Sequence, residues 1–111
     1  MTRVCLVPAL GAISYPEVDA NDPNAMHDLL GGYLEPIQLP PYLGQQGLMG
    51  LVDEDGLRKN LPHNVYSVLL GQPLVGPVII VRTDPPDTVD LTDEDVAALD
   101  EYFGHTFVVV L

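Results

Sequence analysis

The chain has 111 residues, enough for one hydrophobic core but short for two, and 47% of them are hydrophobic, which excludes a disordered chain. Sixteen acids stand against four bases, Arg3, Arg58, Lys59 and Arg82, and the formal charge of −12 excludes nucleic-acid binding through phosphates, which takes clustered Lys and Arg. No run approaches the roughly 20 apolar residues that cross a bilayer, and no basic segment leads into an apolar core and cleavage site, so the expected address is cytoplasmic, away from membranes.

In chain order, Thr2 to Pro8 is a short β-branched and apolar run that predicts a first strand, ended by Pro8 and Gly11. Ala12 to Val18 predicts a second, interrupted by Pro16, which suits a sheet edge because proline cannot donate to a ladder. Asp22-Pro23 signals a helix start, with Asp22 as N-cap and Pro23 at the first position. That helix is expected over Pro23 to Leu30, with Met26, Leu29 and Leu30 on its apolar face and Gly31-Gly32 ending it.

Tyr33 to Leu39 reads as a strand with Tyr33, Glu35, Ile37 and Leu39 on one face, stopped by Pro40-Pro41. Leu48 to Val52 leads into Asp53-Glu54-Asp55-Gly56, a turn signal that predicts a hairpin with an acidic tip returning through Leu57 to Leu61. Val65, Val68 and Leu69 have helical spacing and predict about a turn and a half before Gly71.

Val75 to Arg82 is the expected central strand, because Val78-Ile79-Ile80-Val81 is continuously β-branched, as in a strand covered on both faces. Asp84-Pro85-Pro86 should stop it. Thr92 is placed as N-cap of a last helix, with Asp95 at the position of a capping-box acid, Leu91 stapling onto Val96, and Val96, Leu99 and Phe103 on the buried face up to Gly104. Phe107 to Leu111 reads as a further strand. The expected architecture over 1–111 is therefore one α+β domain, a mostly antiparallel sheet of about five strands with two or three short helices.

The order Gly31 to Glu35, Asp53 to Gly56, Leu61 to Asn64, Gly71 to Pro77 and Leu91 to Asp95 resembles the domain of unknown function 3846 family, small proteins met mostly in phages, plasmids and bacterial genomes. The resemblance covers about Met26 to Phe103. It departs at His63-Asn64-Val65, where the family more usually has Asn followed by Arg, and in a long Pro40 to Gly47 insertion. It implies a mobile-element accessory protein and no established reaction.

Catalytic signatures are weak. His27, His63 and His105 show no metal-ligand spacing. Asp53 to Gly56 places its glycine too early for a calcium loop and lacks the closing glutamate. Gly71 to Gly76 lacks the Lys-Ser/Thr ending of a phosphate loop and precedes a strand. Ser14, Ser67 and Thr106 lack the Gly-x-Ser-x-Gly elbow, and Cys5, the sole cysteine, sits in an apolar run and reads as a small buried hydrophobe. No cofactor or metal is expected, and a small hydrolase is kept only as a third class.

Two binding readings remain. Half of the acids follow Arg82, and Asp84, Asp87, Asp90 and Asp93, with Glu94, form a carboxylate row that could mimic a DNA backbone against a host protein with a basic surface; the plain alternative is a solvated loop and a helix cap. Tyr33, Arg58, His63 and Asn64 could instead line a site for a small nucleotide-like anion; the plain alternative has Tyr33 in the core, Asn64 capping the next helix and Arg58 solvated. The apolar surplus leaves room for a homodimer.

Overall fold

The computed structural model describes residues 1–104, so the expected Phe107 to Leu111 strand lies outside the described residues. The elements are β1 (Thr2–Arg3), β2 (Cys5–Val7), β3 (Glu17–Val18), α1 (Pro23–Leu30), β4 (Leu34–Ile37), α2 (Pro41–Gly44), β5 (Leu48–Asp53), α3 (Ser67–Leu70), β6 (Val78–Asp84), β7 (Asp87–Val89) and α4 (Asp93–Gly104). The main sheet has five strands, all antiparallel to their neighbours, in the order β2-β6-β5-β4 with β7 also on β6. This is the expected α+β class, with four short helices. None is long and apolar enough to cross a membrane among the described residues.

β6 holds the centre. Val78 and Ile80 lie in one core cluster with Cys5, Val7, Val52, Leu70, Leu99 and Phe103, while Ile79 and Val81 lie in the other with Val4, Leu51, Met26 and Leu30. All four β6 residues are fully buried, as the continuous β-branched run predicts. The alternation of side chains across a strand sorts them, so α3 and α4 cover one face and α1 the other.

α1 has the predicted bounds. Asp22 Oδ1 accepts from the Asn24 N–H, and Gly31 takes the left-handed conformation, φ 87°, that closes the helix. α4 also begins as expected, with a reciprocal capping box: Thr92 N–H donates to Asp95 Oδ2 and Asp95 N–H donates to Thr92 Oγ1.

Several expectations need correction. The Thr2 to Pro8 run splits at Val4, whose N–H turns to Pro16 O, and its two halves serve different sheets, β1 pairing with β3 and β2 with β6. The acidic turn after β5 does not open a hairpin. Residues 54–60 run as consecutive turns, Asn60 takes a positive φ of 56°, and the seat beside β5 is filled by β6. Leu57 to Leu61 holds Arg, Lys and Asn between its leucines and lacks the β-branched residues that would have claimed that seat. Asp84-Pro85-Pro86 likewise ends β6 by reversing the chain into β7, so Asp84 to Val89 is a hairpin, with a cis bond between the prolines, where a loop was expected.

The Pro40 to Gly47 insertion contains α2, whose Pro41 at the first helical position was the readable signal. β4 is an edge strand. Its ladder with β5 extends to the Glu54 N–H donating to Tyr33 O, which by alternation turns the polar backbone of Glu35 and Ile37 toward β5 and that of Leu34 and Pro36 outward.

The deepest charged contact joins the sheet to α4. Arg82 Nε and Nη2 donate to Asp95 Oδ2 and Oδ1 at 2.7 and 2.6 Å, and the Asp95 side chain is 3% exposed. The Arg82 hydrogen bonds hold the Asp95 carboxyl below its ordinary value, against the opposing effect of burial. The unfolded chain then takes up this proton at a higher pH than the folded one, so the contribution is complete above about pH 4 and is lost as pH falls through the depressed folded value. Asp95→Ala should cost about 3 kcal/mol at neutral pH by leaving Arg82 half-buried and unpaired, and urea unfolding at pH 7 and pH 3 should show that difference shrink in acid.

Candidate functional site

Each of the four basic side chains is engaged by a carboxylate of its own chain. Arg82 pairs with Asp95, Lys59 with Asp53 at 2.7 Å, Arg58 with Asp55 at 2.9 Å, and Arg3 with Asp93 at 3.0 Å. Sixteen acids less these four leave twelve carboxylates with no Lys or Arg counterion, matching the formal charge of −12. Some are absorbed locally: Asp19 and Asp22 accept from backbone N–H groups, Asp90 accepts from the Arg3 N–H, and Asp100 accepts from the Tyr15 hydroxyl.

The C-terminal acids are arranged differently from a row. Asp84 and Asp87 are cross-strand partners at the tip of the β6–β7 hairpin, both exposed, so two like charges face each other about 5 Å apart at Cα. Asp90 accepts from the Arg3 backbone N–H and Asp93 from the Arg3 guanidinium, which also donates to Leu91 O. Glu94 is exposed on the first turn of α4. The period of three therefore yields an acidic hairpin tip, a half-neutralised pair and one free helix-start acid. The hairpin reversal between Asp84 and Asp87, which the spacing alone could not disclose, breaks the line.

The second set of residues is dispersed in role. Asn64 is fully buried and its polar atoms are committed: its amide donates to Gly76 O and Pro8 O, and its Oδ1 accepts from the Tyr66 N–H in a turn that precedes α3, whose own N-cap is Tyr66 with no side-chain capping bond, so the expected Asn64 cap is not formed. Arg58 is 79% exposed and bound to Asp55. His63 is exposed and forms an isolated bridge with Val75. Tyr33, expected in the core under the plain reading, is 69% exposed and packs edge-on against His27, 5.0 Å between ring centres. No Arg or Lys lines any of the clefts at β4–α2, beside β5, at α4 or at α3.

A buried knot at Asp53 escaped the sequence reading. Its side chain, 2% exposed, accepts from Lys59 Nζ and from the Asp55 N–H, while Lys59 also donates to Gly31 O. Lys59 is the chief reason the Asp53 carboxyl sits below its ordinary value. A Cβ on Gly32 would lie 2.5 Å from Asp53 Cγ, so Gly-Gly here ends the helix and also admits the carboxylate. The signal available was a Gly-Gly pair and an acidic turn recurring in one motif order, with no means of telling that they touch.

Other reactive groups are quiet. Cys5 is buried, and burial pushes its thiol up to about 12. Burial, followed by the hydrogen bond to Asp100, raises the Tyr15 hydroxyl. Ser67 Oγ donates to Asn64 O and accepts from the Leu74 N–H. Among the described residues no three His, Cys, Asp or Glu side chains are grouped to hold a metal; His105 lies outside them.

Compared with known proteins, residues 2–104 match the family described as Domain of unknown function (DUF3846). No curated protein and no solved structure matches the chain.

Gly32→Ala should lower stability by about 2 kcal/mol or more, because the added methyl collides with a buried paired carboxylate. Gly31→Ala, which meets open space but keeps φ 87°, should cost about 1 kcal/mol. Urea denaturation of both variants compares the two, and equal losses would mean that the Asp53 knot contributes nothing beyond helix termination.

Proposed function

We propose that this chain, which belongs to the family of the domain of unknown function DUF3846, is a non-enzymatic accessory protein of phage or plasmid type that acts in the cytoplasm by binding a basic surface of a host protein. The observation that carries this reading is the complete internal engagement of its cations. With Arg3, Arg58, Lys59 and Arg82 all held by their own carboxylates, the remaining acids project a field that nothing on the molecule offsets. Such a field speeds encounter with a basic partner and repels phosphates.

The contact is centred on the β6–β7 hairpin, where Asp84 and Asp87 repel each other in the free protein. A partner's Lys or Arg placed between them relieves that repulsion, so the free chain already holds part of the binding energy as unfavourable electrostatics. Asp90 and Asp93 are secondary contributors because Arg3 already engages both.

The alternative, a site for a nucleotide-like anion, is weakened by two features: Asn64 is buried with its amide occupied, and the clefts beside β4 and β5 lack cationic lining. Hydrolytic chemistry finds equally little support in a buried Cys5 and a backbone-bonded Ser67.

The test is affinity capture of host proteins at low salt, identification of the retained protein, and titration of the purified pair against NaCl. Affinity should fall steeply with salt, and the combined Asp84→Asn and Asp87→Asn substitutions should weaken it about tenfold or more. A salt-independent affinity, or one unchanged by those substitutions, overturns the proposal. Because the two carboxylates oppose each other across the hairpin, the same substitutions should leave the melting temperature unchanged or raise it slightly.

A further inference from the structure

On the α3/α4 face of the sheet, beside the edge strand β4, lies a cleft of about 210 Å³ whose lining also includes Asp53, already paired with Lys59. Val52 and Leu74, both buried, form its floor with the half-buried Ile37 and Val75. Its rim carries Glu35 and Glu54, both exposed, and Leu57, which is 81% exposed. Glu35 is the ladder partner of Val52, and Glu54 lies two residues further along from Val52, so the two glutamates are diagonal neighbours on one face, about 7–8 Å apart at Cα.

Neither glutamate side chain makes a hydrogen bond or ion pair among the described residues, and Arg58 and Lys59, the cations closest to Glu54 in sequence, are held by Asp55 and Asp53. The cleft thus combines an apolar floor, one large apolar side chain left in water and two uncompensated carboxylates. It is smaller than the roughly 300 Å³ at which drug-sized ligand sites begin. A lysine or arginine side chain matches that chemistry: the methylene stem lies along apolar surface while the charged head stays at the rim.

We propose that this cleft receives a single Lys or Arg side chain of the basic protein partner, its aliphatic stem against Ile37, Leu57 and Leu74 and its charged head between Glu35 and Glu54. The inference rests on the proposed function and supplies what the acidic hairpin cannot, a shaped socket that selects one cationic side chain. A second copy of this chain is a poor occupant, since two molecules of charge −12 repel and all four cationic side chains of each are already engaged.

The experiment follows backbone amide shifts of the full chain titrated with the peptide acetyl-Gly-Lys-Gly-amide, with its Nε-acetyl-lysine form, and with n-butylammonium chloride. The lysine peptide should give saturable shifts centred on Glu35, Leu57, Leu74 and Val75 in the millimolar range typical of one small contact. The acetylated form should give none, and the combined Glu35→Gln and Glu54→Gln substitutions should weaken binding about tenfold with an unchanged melting temperature. Unsaturable shifts spread over all the acids, or equal shifts from the acetylated peptide, overturn the inference.

Saturable binding of n-butylammonium without binding of the lysine peptide would make the cleft a free-amine site and also overturn it. The two proposals fail separately. If the captured partner binds in a salt-sensitive way that Glu35→Gln and Glu54→Gln leave unaltered, the socket is wrong and the acidic-surface reading stands; if no salt-sensitive partner exists, that reading falls and the socket falls with it.

Discussion

Strand β6 places Val78 and Ile80 on one face of the sheet and Ile79 and Val81 on the other, and each must find cover. At about 1.5–3 kcal/mol for each fully buried aliphatic side chain, these four residues form the most concentrated source of stability in the chain. Their demand for two covering layers dictates the rest: α1 must cross one face, α3 and α4 the other, and β2 and β5 must flank the strand to satisfy its backbone. Arg82 extends the same constraint to charge. It leaves the apolar part of β6 on the α4 side and fixes the start of that helix through Asp95, whose carboxylate also completes the capping box.

That economy of cations shapes the surface. A protein with four bases and sixteen acids could have scattered its bases in water, where exposed pairs contribute little. Here two of them are anchored on carboxylates that are themselves buried, Asp53 and Asp95, and these tie together segments distant in sequence: the end of α1 with the turns after β5, and β6 with α4. The acids left over are therefore unopposed, and they gather where the backbone exposes them, at the β6–β7 tip, on the first turn of α4 and around the rim of the β4 cleft.

What the sequence disclosed follows from where its signals are local. The two longer helices were legible to within a residue because capping is a contact between near neighbours, Asp22 with Asn24 and Thr92 with Asp95. The central strand was legible from four consecutive β-branched residues. By contrast, the split at Val4, the partner of β5 and the hairpin through Pro85-Pro86 depend on which distant backbone is free to pair, which no run of residues states. The acidic surface was legible as composition and only partly as geometry: the acids can be counted along the chain, yet Arg3 reaches Asp90 and Asp93 from the opposite end of the described chain. The Asp53 knot and the Glu35–Glu54 cleft lay hidden for the same reason.

Pro36 has an effect that reaches beyond the single molecule. Among the described residues the open side of β4 is an unpaired edge of the main sheet, and an incoming strand would look there for alternating donors and acceptors. Proline offers an acceptor without a donor at that outward position, so a neighbouring chain zipping along the edge meets a missing bond after Leu34. Edge-to-edge addition of a further chain is thereby disfavoured at this strand, even when salt has screened the charge that otherwise holds molecules apart.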